Sequence, residues 1–176
     1  MPRQMSVREL LPGEWEKLVP LKKDYLWTVY RGYIAEDAIQ RNAEEYVTQV
    51  MRVIRSDATA RACAVYENES MRGYLIYNED ARDPGESLIL DYAFGKDVQM
   101  QEKHLLIEWY LHFLRDRHIR RVGVWIVKDN LRSRFFFENI GFRRQGDPRE
   151  IIRAGKTIAM IYYQYEMMQQ ETRQNA

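Results

Sequence analysis

From Gln99 to Arg117 the chain contains neither glycine nor proline, and Leu105, Leu106, Trp109, Tyr110, Phe113 and Leu114 recur on one face of a helical period. A helix is therefore predicted there, and its neighbours make it restrictive. The apolar run 87–94 precedes it and 122–127 follows it, each short and strand-like in composition. Strand, helix and strand in succession demand a parallel crossover. Upstream, 60–66 and 71–77 flank Glu67-Asn68-Glu69-Ser70, the signal of an antiparallel hairpin. A chain that holds both must build a mixed sheet with helices over its faces. The fold class is α/β.

The rest of the chain fits around that unit. Residues 7–10 read as a first strand closed by Pro12-Gly13. Leu18, Leu21, Tyr25, Leu26 and Val29 recur at helical spacing over 14–30, and Ile39, Ala43, Tyr46, Val47, Val50 and Ile54 do so over 35–55. Asp83-Pro84-Gly85 is a turn. Residues 130–140 form a short helix with Asn130 as N-cap and Gly141 as its stop, and 158–165 is a closing strand. The expected order is strand, two helices, three strands, helix, strand, helix, strand. No repeat or Gly/Ser linker divides the 176 residues, so 1–168 reads as one domain and 169–176 as a polar tail.

Charge and cysteine usage remove several function classes. Lys plus Arg number 27 against 26 Asp plus Glu, a net charge of +1, so no nucleic-acid partner is expected. Cys63 is the single cysteine and sits between Ala62 and Ala64, which excludes a disulfide framework and reads as small buried filler. His104, His112 and His118 do not make a His-x-x-x-His pair, and no metal site is expected. No apolar stretch approaches the length of a membrane span, and Met1-Pro2-Arg3-Gln4 opens no signal core. These features predict a soluble, cytoplasmic protein with no membrane partner; a homodimer is left open.

The segment Asn130-Leu-Arg-Ser133-Arg-Phe-Phe136-Phe137-Glu-Asn-Ile-Gly141-Phe142 resembles the Asn-x-x-Ala-x-x-Phe-Tyr-x-x-x-Gly-Phe segment of the GNAT family of N-acetyltransferases. Ser133 stands in the small-residue place, and the element order over 7–165 is similar to that fold. The resemblance implies a mixed, mainly antiparallel sheet whose fourth and fifth strands splay apart, with helices on both faces. It implies acetyl-CoA as acyl donor, its pantetheine on the backbone of Tyr92-Ala93-Phe94 and its pyrophosphate at the start of the following helix, where free N–H groups favour an anion. Carried onto this chain, the coenzyme contacts fall on Tyr92, Ala93, Phe94, Gln99, Gln101, Lys103, His104, Asn130, Ser133 and Phe137.

Two departures stand out. The family's loop, Arg/Gln-x-x-Gly-x-Gly/Ala, falls on Asp97-Val98-Gln99-Met100-Gln101-Glu102, so its starting base is Asp97 and its glycines are Met100 and Glu102. Asp97 is a candidate N-cap there, and Lys96, Lys103, His104, Arg132 and Arg134 are the cations available to offset the two acids. The family's Tyr, a proton donor to the leaving thiolate, is Phe137, which has no proton to give. Tyr162 and Tyr163 are candidate substitutes. Asp91, between Leu90 and Tyr92, is the candidate base for the acceptor amine, since burial raises a carboxyl pKa; an ion pair with Lys or Arg is its structural alternative. Glu138 lies beside Phe137. The resemblance thus implies acyl transfer from coenzyme A to a primary amine of a small molecule or protein. The alternatives are a catalytically impaired ligand-binding or interaction module of the same fold, and an acyltransferase with another donor such as an acyl-carrier protein.

Overall fold

The computed structural model describes residues 4–31, 35, 37, 45, 48, 49, 51–79, 83–153 and 155–168. Its elements are β1 (Met5–Glu9), a 3-10 turn (Pro12–Lys17), α1 (Leu18–Tyr30), β2 (Ala60–Glu67), β3 (Ser70–Glu79), β4 (Glu86–Phe94), α2 (Met100–Arg115), β5 (Arg121–Val127), α3 (Leu131–Ile140), β6 (Arg143–Arg153) and β7 (Lys156–Glu166). The strands form one seven-stranded sheet in the order β1-β2-β3-β4-β5-β7-β6. Only β4 and β5 are parallel, joined by the α2 crossover. Of the helix expected over 35–55, residues 51–56 are helical and most of the remainder lies outside the described residues.

The sheet is covered on both faces. Leu106, Ile107, Tyr110 and Leu114 of α2 and Phe136 and Phe137 of α3 pack with Cys63, Leu75, Tyr92 and Val124. Leu18 and Leu26 of α1, with Met51 and Ile54, pack on Ala62, Ala64, Tyr74, Ile76 and Ala93 of the other face. Cys63 is fully buried, and burial pushes its thiol well above the usual range, in keeping with a filler role.

β6 corrects the sequence reading, which leaves 143–153 without structure. Its residues are charged, exposed over 143–150 and interrupted by Gly146-Asp147-Pro148, so neither apolar alternation nor β-propensity marks it. It is an edge strand held by β7 alone, with a register shift between Gln145 and Arg149 that accommodates the proline. Neighbouring backbone, rather than side-chain pattern, makes it a strand.

One irregularity positions everything functional. Along the β3–β4 ladder Ile76 faces Asp91, but the next residue, Tyr77, faces Ile89, so Leu90 is an extra residue in β4. Such a bulge bends the strand that carries it. The β4–β5 ladder runs from Glu86/Arg121 to Ile89/Val124 and stops at that point. Beyond it the two parallel strands diverge, β4 staying with β3 and β5 with β7.

Candidate functional site

Two clefts open where β4 and β5 part. The larger, about 540 Å³, is walled by Tyr25, Thr28, Val29 and Arg31 of α1 and its end, Tyr92, Phe94 to Lys96, Val98, Met100, Lys103, and residues 129–133 with Phe136. Ala93 is not part of that wall; it is fully buried in the core on the α1 face. The smaller, about 180 Å³, lies between Lys22, Leu26 and Tyr30 of α1, Ile89 to Tyr92 of β4, and Trp125, Val127 and Met160. Tyr25, Val29, Tyr92 and Asn130 line both, so the clefts adjoin across that wall.

Asn130 builds the junction. As N-cap of α3 its Oδ1 accepts from the Ser133 N–H at 3.1 Å, the role expected from sequence. Its Nδ2 donates to the Ser133 Oγ at 2.9 Å and to the Tyr25 Oη at 3.3 Å, and the Tyr25 and Ser133 hydroxyls lie 3.0 Å apart. This ties α3 to α1 across the open end of the splay. Burial raises the Tyr25 phenol, while its bonds to Ser133, Tyr92 and Asn130 act in the opposite sense. Tyr92, packed against the Tyr25 ring at 5.4 Å, is pushed further up by burial and by Tyr25 beside it. At the mouth, Arg31, Lys96, Lys103 and Arg132 bring positive charge, and Asp129 is the acid among the lining residues. The Lys103 Nζ lies 5.3 Å over the Phe94 ring; burial, and then the nearby Arg132 guanidinium, lower its pKa.

In the smaller cleft Asp91 is less than a tenth exposed and forms an ion pair through Oδ1 with the Lys22 Nζ, itself equally buried. The Tyr74 Oη donates to its Oδ2 at 2.9 Å. The bulge at Leu90 sets this arrangement, because it turns Leu90 and Asp91 in succession toward the α1 face.

The remaining candidates scatter. Gln101 is exposed and lines neither cleft. Gln99, not Asp97, is the N-cap of α2, and its N–H donates to the Glu102 Oε2 at 2.6 Å. Glu102, almost fully buried, also receives the Arg72 Nε at 3.3 Å, so a carboxylate of the chain stands at this helix start. A capping box needs Glu three residues after the cap, and position 102 supplies it. His104 stacks on Phe136 at 5.6 Å outside both clefts. Phe137 is fully buried between Tyr92, Phe136 and Phe142 and lines neither cleft. Tyr162 donates to Glu86, and Tyr163 donates to Glu138 while accepting from Arg134. Neither tyrosine lines a cleft. Sequence reading passed over Lys22 and Tyr25. Lys22 carried a signal, a charge four residues from both Leu18 and Leu26 on the apolar stripe of α1.

No family profile and no curated protein matches the chain. Solved structures do. The probable acetyltransferase of Staphylococcus epidermidis superposes with a TM-score of 0.74 at 12% identity, covering 94% of this chain and 100% of that one. An acetyltransferase of the GNAT family from Streptococcus pneumoniae gives 0.66 at 17% identity over 94% and 100%. The chain has the GNAT fold. A third GNAT-fold structure, the PaiA N-acetyltransferase of Thermoplasma acidophilum in complex with coenzyme A, gives 0.67 at 13% over 92% and 99%. Among the described residues no helix is long and apolar enough to cross a membrane, and no three His, Cys, Asp or Glu side chains gather as a metal would need.

Proposed function

We propose that this chain transfers an acyl group, acetyl in the first instance, from coenzyme A to a primary amine. The observation that carries the proposal is the end of the β4–β5 ladder at Ile89/Val124, which leaves the β5-side edge of β4 unpaired beyond that point, next to a cleft of about 540 Å³ lined by Tyr92 and Phe94. A pantetheine arm has amide groups able to pair with such an edge. Lys96, Lys103 and Arg132 supply side-chain cations for the phosphates, in place of the α2 start that Glu102 occupies. The coenzyme supplies the activated thioester; the chain's residues position the reactants and accept the amine's proton.

In this proposal the thioester carbonyl lies at the wall shared by the clefts and the amine enters from the smaller one. The attacking amine must be neutral, against an ammonium pKa near 10, so a proton acceptor is needed. Asp91 is that acceptor, and Tyr74 and Lys22 fix its orientation. Nitrogen bonds to the carbonyl carbon, the C–S bond breaks, and the departing thiolate takes up the extra proton that the nitrogen gives up as the amide forms. Phe137 takes no part, and a thiolate is a tolerable leaving group, so the loss of that one proton donor need not stop the reaction. Holding amine and thioester together supplies most of the rate.

Three observations favour a second reading, a non-catalytic ligand-binding module: Lys22 engages Asp91, Phe137 is core, and Glu102 fills the α2 start. The last also suits a carrier-protein donor, whose pantetheine arm brings no pyrophosphate. Thermal unfolding with acetyl-CoA separates these. At one hundred times its dissociation constant the coenzyme adds about 2.7 kcal/mol of stability, whereas no shift at millimolar coenzyme overturns the proposal. If a shift is seen, Asp91→Asn is expected to remove turnover on an amine panel while leaving that shift; unchanged turnover removes Asp91 from the chemistry.

A further inference from the structure

Resting on the acyl-transfer reading, the structure points to the acceptor class: we propose that the smaller cleft takes a zwitterionic amino carboxylate with an apolar side chain. The buried Lys22–Asp91 pair is the template. Among the described residues, Lys22 and Asp91 are the charged side chains lining this cleft, and both are under a tenth exposed. The rest of the lining is largely aliphatic and aromatic, with Leu26, Trp125 and Met160 in the wall.

Counting partners among the described residues, each member of the pair retains unused capacity. An ammonium has three donors, and Lys22 spends one on Asp91; its Nζ otherwise lies 5.5 Å from the centre of the Tyr25 ring. An ionised carboxylate offers about four lone-pair sites, and Asp91 uses one on Lys22 and one on Tyr74. Two donors and two acceptor sites therefore stand side by side in a cleft whose described lining carries no net charge.

Charge decides what enters. A simple cationic amine would place a second ammonium beside Lys22 around one carboxylate, and like charges in a poorly solvated site repel strongly. An acceptor that brings its own carboxylate avoids this. Its carboxylate lies on Lys22 and its ammonium on Asp91, giving an alternating quartet in which each charge meets two of opposite sign. The same arrangement puts the amine on the residue that must take its proton, and Asp91 adjoins Tyr92 of the wall shared with the donor cleft. The volume of about 180 Å³ admits a free amino acid, and the apolar wall selects an apolar side chain.

Calorimetric titration with leucine, leucinamide and 3-methylbutylamine, with and without coenzyme A, tests this directly. The three share a hydrocarbon chain and an amine, and only leucine carries the carboxylate. Leucine is expected to bind at least tenfold more tightly than either analogue. Lys22→Met, which keeps the volume and removes the ammonium, reverses the order, because Asp91 then stands as an unpaired anion. Lys22→Arg keeps the preference for leucine. Equal or tighter binding of leucinamide to the unsubstituted protein overturns the inference, and that measurement does not depend on any variant folding. If leucine is preferred but acetyl-CoA gives no thermal shift, the acyl-transfer reading falls and the amino-carboxylate site stands. If acetyl-CoA binds but leucine is not preferred, the acyl-transfer reading survives without this acceptor class.

Discussion

The starts of α2 and α3 follow the two strands that part at the splay, and they are finished in different ways. At the start of α2 the Gln99 cap N–H donates to Glu102, a carboxylate three residues past the cap that is backed by Arg72. α3 is capped by a neutral amide that also reaches across to Tyr25 of α1. The first start carries a buried carboxylate, which opposes a phosphate; the second is neutral and doubles as the clamp between α3 and α1. The difference teaches that this chain uses one helix start to settle itself and the other to shape the cleft; in the proposed function, anion binding then falls to side-chain cations.

Substitutions around the α3 clamp carry the largest expected effects. Phe137→Ala empties a fully buried aromatic site under Tyr92 and is expected to cost about 3–5 kcal/mol, read by denaturant unfolding. Phe137→Tyr restores the family's hydroxyl but buries it among rings, for about 1–3 kcal/mol and no gain in turnover; a gain would show that Phe137 reaches the thioester after all. Asn130→Ala removes the cap and is expected to cost about 0.5–2 kcal/mol, at the upper end because its bonds to Tyr25 and Ser133 go too. Loss at the lower end would make the clamp no more than a cap.

The α2 start gives a smaller effect with an informative sign. Glu102→Gln keeps an acceptor for the Gln99 N–H but removes the charge, so stability is expected to fall by under about 1 kcal/mol while coenzyme affinity rises. Unchanged affinity would mean that the phosphates lie away from this helix. The smallest effect is in pH. Because burial lowers the Lys103 pKa, its charge is lost on raising pH before that of an ordinary lysine. Coenzyme affinity is therefore expected to weaken a few-fold as pH rises through that value, and Lys103→Arg to abolish the trend. The stability linkage runs the other way. Folding disfavours the charged form, so this contribution is present above the ordinary lysine pKa near 10.4 and is lost as pH falls through the lowered one.

Sequence was legible wherever a local rule sufficed. Helical period placed α2, cap chemistry placed Asn130 and Gly141 at the ends of α3, and the strand–helix–strand order required the parallel β4–β5 pair. It was silent on β6, whose exposed, charged residues become a strand only because β7 offers an edge. It nominated Asn130, Ser133, Tyr92, Phe94 and Lys103, which line the larger cleft, together with Ala93, Gln99, Gln101, His104 and Phe137, which line neither. A motif fixes a helix; it does not say which of its faces meets an opening.

The sequence by itself determined an α/β chain with a GNAT-like segment, because periodicity, caps and turn residues act over a few neighbours. The tertiary structure decided where the site opens and what charge it holds. The bulge at Leu90 emerges from the register between β3 and β4, residues far apart in the chain, and it ends the ladder to β5. It also turns Asp91 toward Lys22 on a helix sixty-nine positions away. Neither could be read locally, since both depend on which distant residues the sheet brings opposite one another.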